Sequence, residues 1–96
     1  MIGKLANDLF DKIALCSEDV KDSDLKDITK ILTGMKKSLP EIEIEDLKEY
    51  VEEFLDKWLE PGYLKNDFDV FTGETNELMV ELGNEGYFDE IEEDEI

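Results

Sequence analysis

Histidine and arginine are absent from the 96 residues, and cysteine occurs once, at Cys16. Without histidine there is no Ser-His-Asp triad, no Cys-His pair, no imidazole metal ligand, and no side chain that titrates near neutrality unperturbed. Without arginine there is no bidentate clamp for a phosphate or carboxylate substrate. A single thiol makes neither an internal disulfide nor a thiolate zinc site, so cysteine usage gives no sign of secretion. Cys16, next to Ile13, Ala14 and Leu15, reads as a buried small hydrophobe. No apolar run approaches the ~20 residues that span a bilayer. The opening MIGKLANDLFDKIALC carries acids where a signal peptide would be apolar. The expectation is one small domain over residues 1–96, cytoplasmic and without a membrane partner.

What is abundant is negative charge. Asp and Glu number 28 against ten lysines, a formal net charge of −18. That excludes direct nucleic-acid binding through a basic patch. The charge is unevenly placed. Residues 1–40 hold seven lysines and seven acids, whereas residues 41–96 hold three lysines and 21 acids. Acidic blocks are often disordered, but such segments are poor in aromatics. Here eight of the nine aromatics, among them Tyr50, Phe54, Trp58, Phe68 and Phe71, lie in the acidic part. It should therefore fold, with only residues 89–96 reading as a flexible acidic tail.

The apolar spacing predicts a helix over 2–16, with Ile2, Leu5, Ala6, Leu9, Ile13 and Cys16 on one face. A second helix starts near Asp22 or Ser23 as its cap. It places Leu25, Ile28, Leu32, Met35 and Leu39 at alternating steps of three and four and closes at Pro40. That seam is two heptads long, and packing within the chain is favoured over a homodimer zipper. A third helix is predicted over 44–59, with Leu47, Val51, Phe54, Leu55 and Trp58 inward and Pro61-Gly62 as its stop. Beyond it, Phe68 and Val70 alternate with acids, and Leu78, Val80 and Leu82 alternate with Met79 and Glu81, with turns at Thr72-Gly73 and Gly83–Gly86. The pattern reads as a three-stranded antiparallel meander. The expected fold is therefore α+β: three amphipathic helices followed by a small meander. The alternative is an all-α four-helix domain, with residues 74–82 as the last helix, capped by Thr72 or Thr75.

The third helix carries the most informative pattern. At about 100° per residue, Glu45, Glu49, Glu52, Glu53, Asp56 and Glu60 fall within about 100° of arc, a stripe ~22 Å long opposite the apolar face. Like charges at i,i+4 cost a few tenths of a kcal/mol per pair. A face kept only for solubility is normally interspersed with lysines. The stripe therefore reads as a partner-binding surface. Asp67, Asp69, Phe71, Glu74, Glu77 and Glu81 extend it, with Phe71 as an exposed contact on the strand face opposite Phe68 and Val70. Tyr63, in a polar connector, and one of Tyr87 and Phe88 are further candidates for exposure.

Clustered carboxylates raise calcium and acid–base catalysis as rivals. Counted from Asp67, DFDVFTGETNEL places Phe71 at the fifth EF-hand position, Thr72 where glycine is required, and Leu78 where a bidentate glutamate belongs, so the motif is rejected. Asp22 and Asp24 fail likewise, with Lys26 in fifth place. With 28 acids some pair always stands at a glycosidase-like separation, so that signal carries no weight. There is no glycine-rich phosphate loop. No catalytic residue, metal ligand or cofactor is expected, and the chain does not read as an enzyme.

A small, acidic, arginine-free single domain is similar to phage-encoded inhibitors that mimic nucleic acid, including some anti-CRISPR and anti-restriction proteins. The similarity lies in composition. It implies a stoichiometric inhibitor, acting in the host cytoplasm, that offers an acidic surface to a basic nucleic-acid-binding protein or nuclease. An immunity or antitoxin protein against a basic toxin, or a non-enzymatic adaptor domain, would share the same composition.

Overall fold

The computed structural model describes residues 2–16, 19–60 and 62–87. The expected tail at 89–96, and Phe88, lie outside the described residues. Helix α1 spans Ile2–Cys16, α2 Asp22–Lys37, α3 Glu45–Leu59, α4 Tyr63–Asn66 and α5 Phe68–Asn84, with a 3-10 turn at Leu39–Glu41. Contacts run from α1 to α2, α2 to α3, α3 to α5, and from α5 back to α1. The four long helices thus close a ring in which the near-neutral α1/α2 pair lies across from the acidic α3/α5 pair. Among the described residues no helix is long and apolar enough to cross a membrane.

The first three helices form where their apolar spacing places them. Ile2, Ala6, Leu9, Ile13 and Cys16 of α1 are buried, and so are Ile28, Leu32 and Met35 of α2. The α2 seam is filled by α1 and α3 of the same chain. Asp24, not Asp22 or Ser23, tends the start of α2. Its carboxylate accepts the Lys21 backbone N–H at 3.1 Å and pairs with Lys12 of α1 at 2.9 Å. Those contacts hold the Asp24 carboxyl below its ordinary value, with the Lys12 hydrogen bond the larger cause. Pro40 sits in the 3-10 turn that ends this segment, and the Ile2 backbone N–H donates to Glu41 Oε1 at 3.0 Å, tying α1 to that turn. Gly62, with φ +92°, provides the left-handed step from α3 into α4.

Among the described residues the expected meander is not formed, and the fold is all-helical rather than α+β. Residues 68–84 make one continuous helix, longer than the alternative helix over 74–82. Phe71, Thr75, Leu78 and Leu82 face inward at steps of four, three and four. Thr75 hides this period because it is polar. Its hydroxyl donates to the Phe71 carbonyl at 2.8 Å, which satisfies the group and lets threonine sit in the apolar stripe. Val70 and Val80, half or more exposed, create a false alternation with Phe68, Leu78 and Leu82. The turn assigned to Thr72-Gly73 is helix interior. The true turn comes later: Gly86, at φ +83°, allows Tyr87 N–H to reach the Leu82 carbonyl and Gly86 N–H the Gly83 carbonyl, a Schellman closure.

Tyr87 then lies against the start of α1. A Cβ added at Gly3 would stand 2.0 Å from the Tyr87 carbonyl oxygen, so only glycine permits this approach. Gly73 is different, because a Cβ there meets nothing within 4 Å. Gly73→Ala should therefore stabilise the fold by about 0.5–1 kcal/mol through helix propensity, read as a raised urea midpoint at unchanged slope. A loss of stability would contradict a helical residue 73.

Candidate acidic docking face

Helix α3 presents its expected stripe. Glu45, Glu49, Glu52, Glu53, Asp56 and the C-capping Glu60 are all exposed, while Leu47, Val51, Phe54, Leu55 and Trp58 are buried on the opposite side. Its two neighbours divide the stripe. On the α2 side, Asp56 accepts from Lys36 Nζ at 2.6 Å, and this partner raises the Lys36 pKa. On the α5 side, Glu53 enters a groove with Tyr50, Phe54, Lys57, Glu74 and Glu77. The groove continues past Tyr50 and Glu77 to Ile44, Asp46, Leu47, Val80, Glu81 and Glu85, where it opens to about 620 Å³.

Among the described residues six carboxylates, those of Asp46, Glu53, Glu74, Glu77, Glu81 and Glu85, therefore line one channel between α3 and α5 against a single cation. That cation, Lys57, is already engaged, donating to Glu74 Oε2 at 2.7 Å while lying 4.8 Å from the centre of the Trp58 ring. Glu74 Oε1 accepts the Trp58 indole N–H at 3.1 Å. Glu74 is thus partly buried structural charge that pins α5 to α3. The remaining five acids have no hydrogen bond or ion pair across the groove among the described residues.

Phe71, expected as an exposed contact, is fully buried. Its ring centroid lies 5.1 Å from Trp58, 5.8 Å from Phe54 and 5.8 Å from Phe68, making it the hub of an aromatic cluster beneath the groove. The strand assignment misplaced it, because a period of two puts residue 71 opposite Phe68 and Val70 whereas the helix turns it inward. Tyr63 is exposed and rests an edge on Trp58 at 6.4 Å. Asp67 and Asp69 are exposed at the start of α5. At about 100° per residue Asp69 stands roughly 80° or more around the helix from Glu77 and Glu81, so the α3–α5 face does not gather it.

Asp46, Glu85 and Tyr50 belong to the groove but not to the stripe the sequence suggested. Asp46 lies just beyond the stripe on the helical wheel, and Tyr50 about one turn further along the same flank. Tyr50 is half-buried, and burial first, then the carboxylates of Glu77, Glu81 and Glu74, pushes its phenol pKa above the ordinary value. A raised folded pKa means that its contribution to stability is complete below pH ~10 and is lost as pH rises through the folded value. Tyr50→Phe should therefore remove a late-titrating step from the phenolate absorbance curve. A variant whose high-pH limb matches that of the parent would refute the burial.

Cys16 is buried, and its thiol is pushed up chiefly by desolvation, which is the setting of an inert cysteine. Among the described residues no three acidic or thiol groups converge as metal ligands, and the DFDVFTGETNEL segment is helical from Phe68 onward. Comparison with protein-family models, with curated proteins and with solved structures finds no match.

Proposed function

We propose that the protein is a stoichiometric inhibitor whose α3–α5 face occupies the nucleic-acid channel of a basic partner, a nuclease or another nucleic-acid-binding protein. The observation that supports this is the groove with six carboxylates and one already engaged lysine. Glu45, Glu49 and Glu53 on α3, and Glu77, Glu81 and Glu85 along α5 and its cap, recur every four residues. Each ladder has a rise of about 6 Å per step, comparable with the spacing of phosphates along a strand. Lysines and arginines that normally meet phosphates would pair with these carboxylates instead. The negative field would speed encounter with a basic cleft. Nothing in this mechanism requires a cofactor or a catalytic group.

The experiment is competition. Partners captured from host lysate on the immobilised protein are challenged with DNA, with RNA and with a salt gradient. The expected partner is a nucleic-acid-binding protein that nucleic acid displaces and that leaves as salt rises through about 0.2 M, the behaviour of phosphate-like contacts. A partner that keeps its nucleic acid while bound, or holds full affinity in concentrated salt, contradicts the proposal.

A further inference from the structure

Phosphate mimicry needs no apolar surface, yet the open end of the α3–α5 groove has one. Ile44, at the N-cap of α3, is 40% exposed, and Val80, on α5, is 59% exposed, and both line the same depression. Leu47 and Tyr50 also line it. The other large exposed hydrophobics among the described residues, Phe10, Leu15, Tyr63 and Val70, line neither part of the groove. Isolated apolar side chains on a surface are ordinary. Two that flank one cleft from different helices are positioned to grip something. The cleft's remaining lining is acidic, with Asp46, Glu81 and Glu85 around the aliphatic pair.

We infer that this end of the groove is a docking site for a basic amphipathic helix of the partner. One or two aliphatic or aromatic residues of that helix seat between Ile44 and Val80, and lysines or arginines a turn to either side reach Asp46, Glu81 and Glu85. The inference rests on the reading of the α3–α5 face as a partner surface and names what that surface grips. Charge complementarity selects the occupant, because a neutral apolar helix would leave the rim carboxylates desolvated without partners. The helical form follows from the mode of recognition on offer. Strand addition needs a free sheet edge, and the described residues contain no strand, whereas a cleft between two helices accepts a third. At the far end the Lys57–Glu74 pair bridges α3 and α5, and no exposed aliphatic residue lines the groove there among the described residues.

The test uses two synthetic peptides of equal length and equal positive charge. One is an amphipathic Leu/Lys helix, and in the other serine replaces every leucine. The Leu/Lys peptide should bind the full chain at least tenfold more tightly, with methyl NMR shifts concentrated at Ile44, Leu47 and Val80. In the double variant Ile44→Ser with Val80→Ser that preference should collapse, while affinity for the Ser/Lys peptide stays unchanged and the helical circular dichroism is retained. Equal affinity for both peptides, a preference that survives the double variant, or shifts centred outside the groove would overturn the inference. The result is separable from the inhibitor reading. If the double variant still displaces nucleic acid from the partner at full strength, the groove inference fails and the inhibitor stands. If the Leu/Lys peptide docks as described but nucleic acid never competes with the partner, the reverse holds.

Discussion

Phe71→Ala is expected to cost about 3–5 kcal/mol, the range for deleting a fully buried phenylalanine side chain. The ring is inaccessible to solvent and lies within 6 Å, centroid to centroid, of Phe54, Trp58 and Phe68. Its removal opens a void that rigid rings on three sides cannot close by rotamer change. A domain of this size has about 5–15 kcal/mol in total, so the variant should melt roughly 15–30 °C lower or fail to fold at physiological temperature. Val70→Ala, one residue earlier on an exposed flank, should move stability by no more than about 0.5 kcal/mol. The pair discriminates the register of the whole segment. In a strand Val70 and Phe71 point to opposite faces and Val70 shares the core with Phe68. In the helix Phe71 takes the core. Urea midpoints compared at unchanged slope decide it, and a mild Phe71→Ala beside a severe Val70→Ala would overturn α5.

That contrast also explains what the sequence could disclose. Helices α1 to α3 were legible because their apolar residues recur at three and four without a polar member, and because Pro40 and the Pro61-Gly62 pair mark ends that no tertiary contact needs to supply. Helix α5 was not, because Thr75 interrupts its stripe, Gly73 imitates a turn, and Val70 and Val80 put apolar residues where a helix would show polar ones. The stripe Phe68, Phe71, Leu78, Met79 and Leu82 was present. Reading it required knowing that Thr75 satisfies its own hydroxyl against Phe71.

The acidic stripe of α3 was legible for the same reason as the helix that carries it, since period alone decides which acids share a face. How the stripe is divided was not. Asp56 pairs across α2 with Lys36 and Glu53 joins a groove with α5, and both outcomes depend on where other helices lie. The same holds for Glu74. Its two oxygens are committed to Lys57 and Trp58 by the α3–α5 packing, which no spacing along one helix reveals. Asp46, Tyr50 and Glu85 enter the site only because α5 stands beside their flank.

Reversing three groove charges together, Glu53→Lys, Glu77→Lys and Glu81→Lys, should weaken partner binding on the order of 100-fold or more, at about 1–2 kcal/mol for each contact turned from attraction to repulsion. All three side chains are exposed and none makes an ion pair or hydrogen bond among the described residues, so the fold should be unharmed. The comparison that gives this result meaning is a second triple variant, Asp8→Lys, Asp11→Lys and Asp69→Lys. Its sites are equally exposed, two of them on α1 across the ring from the groove and one turned aside on α5. Each set carries the formal net charge from −18 to −12, two units for every reversed residue. Long-range steering responds to net charge and acts mainly on association rate, so the second set should slow capture only a few-fold and leave dissociation alone. The groove set should raise the dissociation rate as well, because contacts made in the complex are lost. Equal weakening by the two sets would mean that the partner senses only overall charge. No weakening by either would mean that the acids serve solubility, and the α3–α5 groove would then have no part in recognition.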